Sequence, residues 1–142
     1  MADTAQKLAA LVWDDKFSVA FKGIDDQHKK LILLINDLSV ASASGKGREV
    51  VGGILQGVVD YTVSHFAYEE GMMKEQAYPD FAAHKKQHDE LVQQASDLLV
   101  KQKAGATMIS VEVMNFLKNW LTTHINGTDK KLGAFLTSKG LK

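Results

Sequence analysis

The sequence contains no cysteine and a single proline among its 142 residues. Because cysteine is absent, disulfide bonds, iron–sulfur clusters, thiolate zinc sites and haem attached through a CxxCH motif are excluded. The single proline, Pro79, is typical of the first turn of a helix. A metal site in this chain would therefore use nitrogen and oxygen ligands.

An excess of charge of either sign is also lacking, because Lys+Arg and Asp+Glu both number 17. No broad electrostatic field is available to hold nucleic acid or an anionic membrane. The longest strongly apolar run, LILLI at 31–35, is too short to cross a bilayer, and the N-terminus lacks the features of a signal peptide. We therefore expect a soluble, cytoplasmic protein with no nucleic-acid partner and no membrane insertion.

Apolar residues recur at intervals of three and four through four long segments, whereas strand-type alternation is scarce. This pattern predicts an all-α protein. The predicted helices run from Asp25, as N-cap, to the ASASGKG stretch at 41–47, from about Arg48 to Lys74, from Pro79 to about Gly105, and from about Met108 to Ile125.

Four amphipathic helices joined by short connections predict an up-down-up-down antiparallel four-helix bundle. We expect one domain over residues 1–142, with an N-terminal arm at 1–22, the bundle at 23–126 and a C-terminal segment at 127–142. Within that last segment, residues 128–138 are expected to form a short helix.

The histidines fall on inward faces of the predicted helices and at one end of the predicted bundle. They are His28, His65, His84, His88 and His124. A lone histidine on an apolar face is more often a core residue with a satisfied hydrogen bond than a metal ligand. Five buried imidazoles in one small space would leave several polar groups unsatisfied, at a cost of a few kcal/mol each. Their convergence therefore indicates a metal site.

Two pairs of polar residues have the spacing of ligands on one helical face. His84 and His88 are four residues apart, as are His65 and Glu69. Four residues return the second side chain to about 40° from the first, so each pair can reach one ion. Glu70 lies about 140° around the helix from His65, and we expect it to be a solvated surface residue.

The motifs that carry these residues resemble those of the hemerythrins, in particular the single-domain bacteriohemerythrins. They are GIDDQH at 23–28, HFAYEE at 65–70, HKKQH at 84–88 and HINGTD at 124–129. The resemblance implies reversible binding of dioxygen at a non-haem di-iron centre, with two iron ions joined by an oxo or hydroxo bridge. It also implies that His84, His88 and His124 hold one iron, that His28 and His65 hold the other, and that Glu69 and Asp129 bridge them.

Asp129 is the one residue of this set that helical spacing would not select. It lies five residues after His124, which places it about 140° around a regular helix. It reaches the same site only if the backbone leaves α-helical geometry between the two residues. We expect the φ freedom of Gly127 to permit this.

Apolar residues next to the predicted ligands resemble the oxygen pocket of the family. They are Leu31, Phe66, Trp120, Leu121 and Ile125. An apolar wall would favour the neutral gas and exclude water from the metal ions. Ordinary core packing is the alternative interpretation for each of these residues.

Other functions use different ligand sets. Ferritin-like di-iron enzymes use paired Glu-x-x-His motifs, which this sequence lacks. A zinc-stabilised structural bundle would need only four of the seven ligands. Oxygen storage or transport without enzymatic activity is therefore the preferred function; oxidase, peroxidase or nitric oxide chemistry and an oxygen or iron sensor are the alternatives. The expected partners are dioxygen and an oxygen-consuming enzyme as receiver, and a monomer is expected.

Overall fold

The structure, a computed structural model, describes residues 11–43, 48–104 and 111–141. These residues form five α-helices and no strand, as the apolar spacing predicts. The helices are α1 (Lys22–Ala43), α2 (Arg48–Glu75), α3 (Phe81–Lys103), α4 (Val111–His124) and α5 (Lys130–Ser138). A 3-10 turn at Asp15–Phe17 precedes α1, and a π-helical turn at Ile125–Asp129 joins α4 to α5. None of the described helices combines the length and the apolar character that a membrane span requires.

The first four helices form the predicted antiparallel bundle. Helix α1 packs against α2 and α4, and α2 also packs against α3. Burial of apolar side chains between the helices provides the main stabilising free energy. The largest fully buried apolar side chains are Ile24, Leu31, Ile35, Leu38, Leu55, Met73, Met114, Ile125, Leu132 and Leu136.

Helix α1 begins at Lys22, so the prediction of Asp25 as its N-cap is wrong. Asp25 lies in the first turn, where its carboxylate accepts hydrogen bonds from the backbone N–H of Val19 (2.8 Å) and the hydroxyl of Ser18 (2.6 Å). These bonds reach back to the segment that precedes the helix. An acidic residue in a first turn and an N-cap look alike in a sequence, because both precede an apolar run.

The other helix boundaries differ from the prediction by a few residues. Helix α3 begins at Phe81, and Pro79 lies in the turn before it rather than in its first turn. Ala77 in the same turn has a φ of 54°, a left-handed conformation that is common just after the end of a helix. The predicted turn around Gly45 and the predicted start of the fourth helix at Met108 lie outside the described residues.

The described part of the N-terminal segment packs on the bundle. The backbone N–H of Leu11 donates to Asn36 Oδ1 (2.9 Å), and Asn36 Nδ2 donates to the carbonyl of Leu11 (2.8 Å). Further along, Phe17 and Val19 are buried in the core. This segment therefore covers α1 and continues directly into the helix that carries the first of the predicted ligands.

Candidate metal centre

Seven buried polar side chains meet between the helices at one end of the bundle. They are the seven residues predicted from the sequence: His28 on α1, His65 and Glu69 on α2, His84 and His88 on α3, His124 at the end of α4, and Asp129 in the π-helical turn. His124 exposes 6% of its surface and each of the others 2% or less. Imidazoles and carboxylates in such numbers are seldom buried together without a ligand that compensates for their desolvation.

The seven side chains form two groups that share both carboxylates. One group contains Glu69, His84, His88, His124 and Asp129, and the other contains His28, His65, Glu69 and Asp129. Within each group, one potential ligand atom per residue lies within 4.8 Å of all the others. This is the grouping that the family resemblance implies. The role of each residue as a ligand stays a prediction.

Glu69 directs its two carboxylate oxygens to different groups of imidazoles. Its Oε1 lies 3.2 Å from Nε2 of His84 and 3.1 Å from Nε2 of His88. Its Oε2 lies 3.0 Å from Nε2 of His65 and 3.7 Å from Nε2 of His28. The carboxylate therefore spans the boundary between the two groups, as a bridging ligand does.

Asp129 also divides its two carboxylate oxygens between the two groups. Its Oδ1 lies 3.2 Å from Nε2 of His84 and 3.1 Å from Nε2 of His124, whereas its Oδ2 lies 3.0 Å from Nε2 of His28. The two carboxylates together place four oxygens between five imidazole nitrogens. Such a set can bind two divalent cations side by side.

The ligand atoms approach one another closely without forming hydrogen bonds. All five Nε2 atoms and all four carboxylate oxygens are buried, and none has a hydrogen-bond partner among the described residues. An unsatisfied buried polar group costs about 1–3 kcal/mol. Bound metal ions would satisfy the whole set, so these residues fit a two-metal site.

The imidazoles and carboxylates also shift each other's pKa values. Burial by itself lowers the pKa of His28 and of His84, but the carboxylates of Asp129 and Glu69 outweigh burial and raise each pKa to about 9. Burial raises the pKa of Glu69 and of Asp129, but the surrounding imidazoles hold both pKa values well below their usual range. Protons therefore compete with metal ions for His28 and His84 at neutral pH.

The π-helical turn at Ile125–Asp129 brings Asp129 over His124. Because a π-helix bonds residue i to i+5, five residues make about one turn. The predicted departure from α-helical geometry is thus present, but the predicted cause is wrong. Gly127 does not adopt a positive φ; among the described glycines that conformation occurs at Gly140. The widened turn, rather than a left-handed residue, moves the carboxylate inward.

Two side chains that contact the imidazoles from outside were not predicted. Nδ1 of His65 lies 2.5 Å from Oε1 of Gln27, and Nδ1 of His88 lies 2.9 Å from Oε2 of Glu70. Since amide and carboxylate oxygens accept, each Nδ1–H donates and each Nε2 is left free to bind a metal. The expectation that Glu70 is a solvated surface residue is therefore wrong, because its side chain is only 19% exposed and reaches across to α3.

Aromatic rings cover the side of the cluster that contains His84, His88 and His124, here called the three-histidine side. Phe66 is buried and stacks on His88, with ring centroids 3.7 Å apart and an interplanar angle of 3°. The Trp120 ring is nearly parallel to that of His124, with centroids 6.3 Å apart. The other predicted pocket residues, Leu31, Leu121 and Ile125, are all buried in the core.

An open groove between α3 and the end of α4 reaches the same side. It has a volume of about 880 Å³, and Trp120, His124, Gln87, Glu90 and Thr128 contribute to its walls. The hydroxyl of Thr128 donates to Oε1 of Gln87 (2.7 Å) across the groove. Since His124 is the most exposed of the seven polar residues, solvent comes closest to the cluster here.

Comparison with known proteins gives a consistent result. The family model described as "Hemerythrin HHE cation binding domain" matches residues 19–136. The chain is 41% identical over 123 residues to a protein named Bacteriohemerythrin from Stenotrophomonas maltophilia, covering 87% of this chain and 79% of that protein. It is 36% identical over 132 residues to a Bacteriohemerythrin from Methylococcus capsulatus, covering 92% of this chain and 100% of that protein. A crystal structure of wild-type hemerythrin superimposes with a TM-score of 0.83 at 37% identity, covering 89% of this chain and 97% of the other.

Proposed function

This chain belongs to the hemerythrin family, and on that premise we propose that it binds dioxygen reversibly at two iron ions, for oxygen storage or transport. The observation that carries the proposal is the division of each buried carboxylate between two groups of imidazoles. When bound, the iron ions would supply the electrons that reversible oxygen binding requires. The protein would supply the ligand geometry and the exclusion of water.

The two iron ions would have different histidine ligands. His84, His88 and His124 would hold one, and His28 and His65 the other, according to the two groups of side chains. Glu69 and Asp129 would bridge both. The ion held by His28 and His65 would have fewer protein ligands than the other, so dioxygen would bind on that side of the site.

The apolar residues would maintain the reversibility. Leu31, Phe66, Leu121 and Ile125 are buried, and Trp120 is half-buried beside His124. This wall favours a neutral gas molecule and disfavours water, whose hydrogen bonds it cannot replace. Loss of the wall would admit water and promote oxidation of the iron ions.

The composition of the ligand set supports binding rather than catalysis. Oxygen-activating di-iron bundles of the ferritin-like type use several glutamates and paired Glu-x-x-His motifs. Here five imidazoles and two carboxylates converge, which is a histidine-rich and carboxylate-poor set. We therefore propose that the protein stores oxygen or delivers it to an oxygen-consuming enzyme.

Metal stoichiometry tests this assignment. Metal-free protein is titrated with Fe²⁺ in the absence of oxygen, and bound iron is measured per chain. The expected value is two irons for the unmodified protein and fewer for Asp129→Ala, because that variant lacks one carboxylate common to both groups. Glu90→Gln in the wall of the groove is the control and should bind two. Fewer than two irons in the unmodified protein, or two in Asp129→Ala, would contradict the proposal.

A further inference from the structure

We infer that Glu70 is a positioning residue that sets the metal affinity and the reduction potential of the ion held by His84, His88 and His124. The inference rests on the proposed function and deepens it. The ion held by three histidines would have an anionic side chain, Glu70, hydrogen-bonded to one of its ligands. The ion held by two histidines would have a neutral one, Gln27.

The geometry places Glu70 where it can act on the metal through His88. Oε2 of Glu70 accepts from Nδ1–H of His88 at 2.9 Å, and Nε2 of the same ring lies 3.1 Å from Oε1 of Glu69. The imidazole therefore stands between two carboxylates, one on each nitrogen. Only 1% of the His88 side chain is exposed, so water does not replace either contact.

Phe66 restricts the same ring from its face. The two rings are parallel within 3° at a centroid distance of 3.7 Å. The stacking limits the plane of His88, and the Glu70 carboxylate fixes which nitrogen points away from the site. Together they leave Nε2 of His88 in one orientation before a metal binds, which reduces the conformational entropy lost on binding.

At His28, His65 and His84, Nδ1 has no carboxylate acceptor among the described residues. Nδ1 of His65 has the neutral amide oxygen of Gln27 at 2.5 Å. Nδ1 of His28 and of His84 is buried and has no hydrogen-bond partner among the described residues. The anionic contact at His88 therefore distinguishes one group of ligands from the other.

The difference in charge has a predictable effect. A carboxylate that accepts from Nδ1–H increases the electron density at Nε2 and stabilises a more highly charged metal ion. Removal of such a partner typically lowers metal affinity about 10–100-fold. If the loss is tenfold greater for the oxidised ion than for the reduced ion, the reduction potential rises by about 59 mV. The Glu70 carboxylate should thus hold the potential of the three-histidine ion low.

Lys85 and Asp89 provide a matched control. Lys85 Nζ lies 3.9 Å from Oε1 of Glu70 and 3.0 Å from Oδ1 of Asp89, on the outer side of α3. The Asp89 side chain is 64% exposed and forms an ion pair with Lys85. Asp89→Asn therefore removes one negative charge close to Glu70 and leaves the Glu70 contact with His88 in place.

The experiment compares Glu70→Gln, Gln27→Glu and Asp89→Asn with the unmodified protein. Glutamine keeps the size of Glu70 and an acceptor oxygen, so the ring orientation is retained and only the charge is lost. Metal-free proteins are titrated with Co²⁺, and the iron-loaded proteins are titrated potentiometrically. We expect Glu70→Gln to bind one of two Co²⁺ ions about tenfold more weakly and to have a raised reduction potential. Gln27→Glu should have a lowered reduction potential. Asp89→Asn should match the unmodified protein in both measurements.

The outcomes separate this inference from the proposed function. If the unmodified protein binds two metal ions and Glu70→Gln is unchanged in affinity and potential, the inference fails and the proposed function stands. If Asp89→Asn shifts the reduction potential as much as Glu70→Gln, the shift is due to the loss of any nearby negative charge and not to the hydrogen bond between Glu70 and His88. The inference is then also wrong. If the unmodified protein does not bind two ions, both fail. Should Glu70→Gln lose its helical circular dichroism, Gln27→Glu decides, since the inference requires its potential to fall.

Discussion

Replacement of Phe66 by alanine should both destabilise the protein and shorten the life of its oxygen-carrying form. The Phe66 side chain exposes 3% of its surface and stacks on His88, and its centroid lies 5.8 Å from that of His65 and 5.7 Å from that of His124. Phe-to-Ala changes in a core cost about 3–5 kcal/mol in the free energy of unfolding. For a domain of this size, each kcal/mol lowers Tm by about 3 °C, so we expect a loss of about 9–15 °C.

The position of the resulting cavity distinguishes this change from ordinary core damage. The space left by Phe66 would be bordered by imidazoles of both groups, which offer water the polar partners that an apolar cavity lacks. Phe66→Leu refills most of the space and should cost about 1 kcal/mol while excluding water. Phe116→Ala, at a ring that is 40% exposed, is the aromatic control and should also cost about 1 kcal/mol.

Thermal unfolding and the rate of spontaneous oxidation in air are measured for the three variants. We expect Phe66→Ala alone to oxidise markedly faster than the unmodified protein. If Phe66→Ala melts within a few degrees of the unmodified protein, or oxidises no faster than Phe116→Ala, Phe66 does not protect the site from water.

Two further predictions concern stability and are measured by urea unfolding of the metal-free protein. The first concerns two glycines. Gly133→Ala should lower the free energy of unfolding by about 2 kcal/mol or more, because its Cβ would overlap the carbonyl oxygen of Val19. Gly53→Ala has nothing within 4 Å of the added Cβ and should raise the free energy of unfolding by up to about 1 kcal/mol. Equal effects would contradict the packing of α5. The second prediction concerns pH. The pKa of His28 and of His84 is raised from 6.5 to about 9, so the stabilisation from these two groups is complete below pH 6.5 and is lost as the pH rises through 9. A free energy of unfolding that stays constant between pH 6.5 and 9 would contradict the direction of these pKa shifts.

The histidines could be located from the sequence because they combine two independent signals. His84 and His88 repeat at four residues on an apolar face, and His65 and Glu69 do the same near the end of the preceding helix. Antiparallel topology then fixes which helix ends lie together. The structure brings these side chains together because helical geometry leaves little freedom in where a buried face points.

The roles of Glu70, Gln27 and Asp129 could not be predicted from helical spacing, because they depend on contacts between different helices or on a turn that is not α-helical. The position of Glu70 in the sequence gives its direction around the axis of α2. It does not show that the side chain is long enough to contact His88 on α3. Gln27 likewise reaches His65 from α1. The inward position of Asp129 follows from a π-helical turn, for which the sequence has no regular pattern, and only the family motif indicated this residue.

An optical oxygen titration with iron assayed in parallel tests whether this protein binds oxygen reversibly. The protein is reduced without oxygen, exposed to oxygen and then deoxygenated, and the cycle is repeated. We expect two irons per chain and a pink colour that appears with oxygen and disappears on its removal in every cycle. A protein that reacts once with oxygen and stays yellow through later cycles would contradict reversible binding.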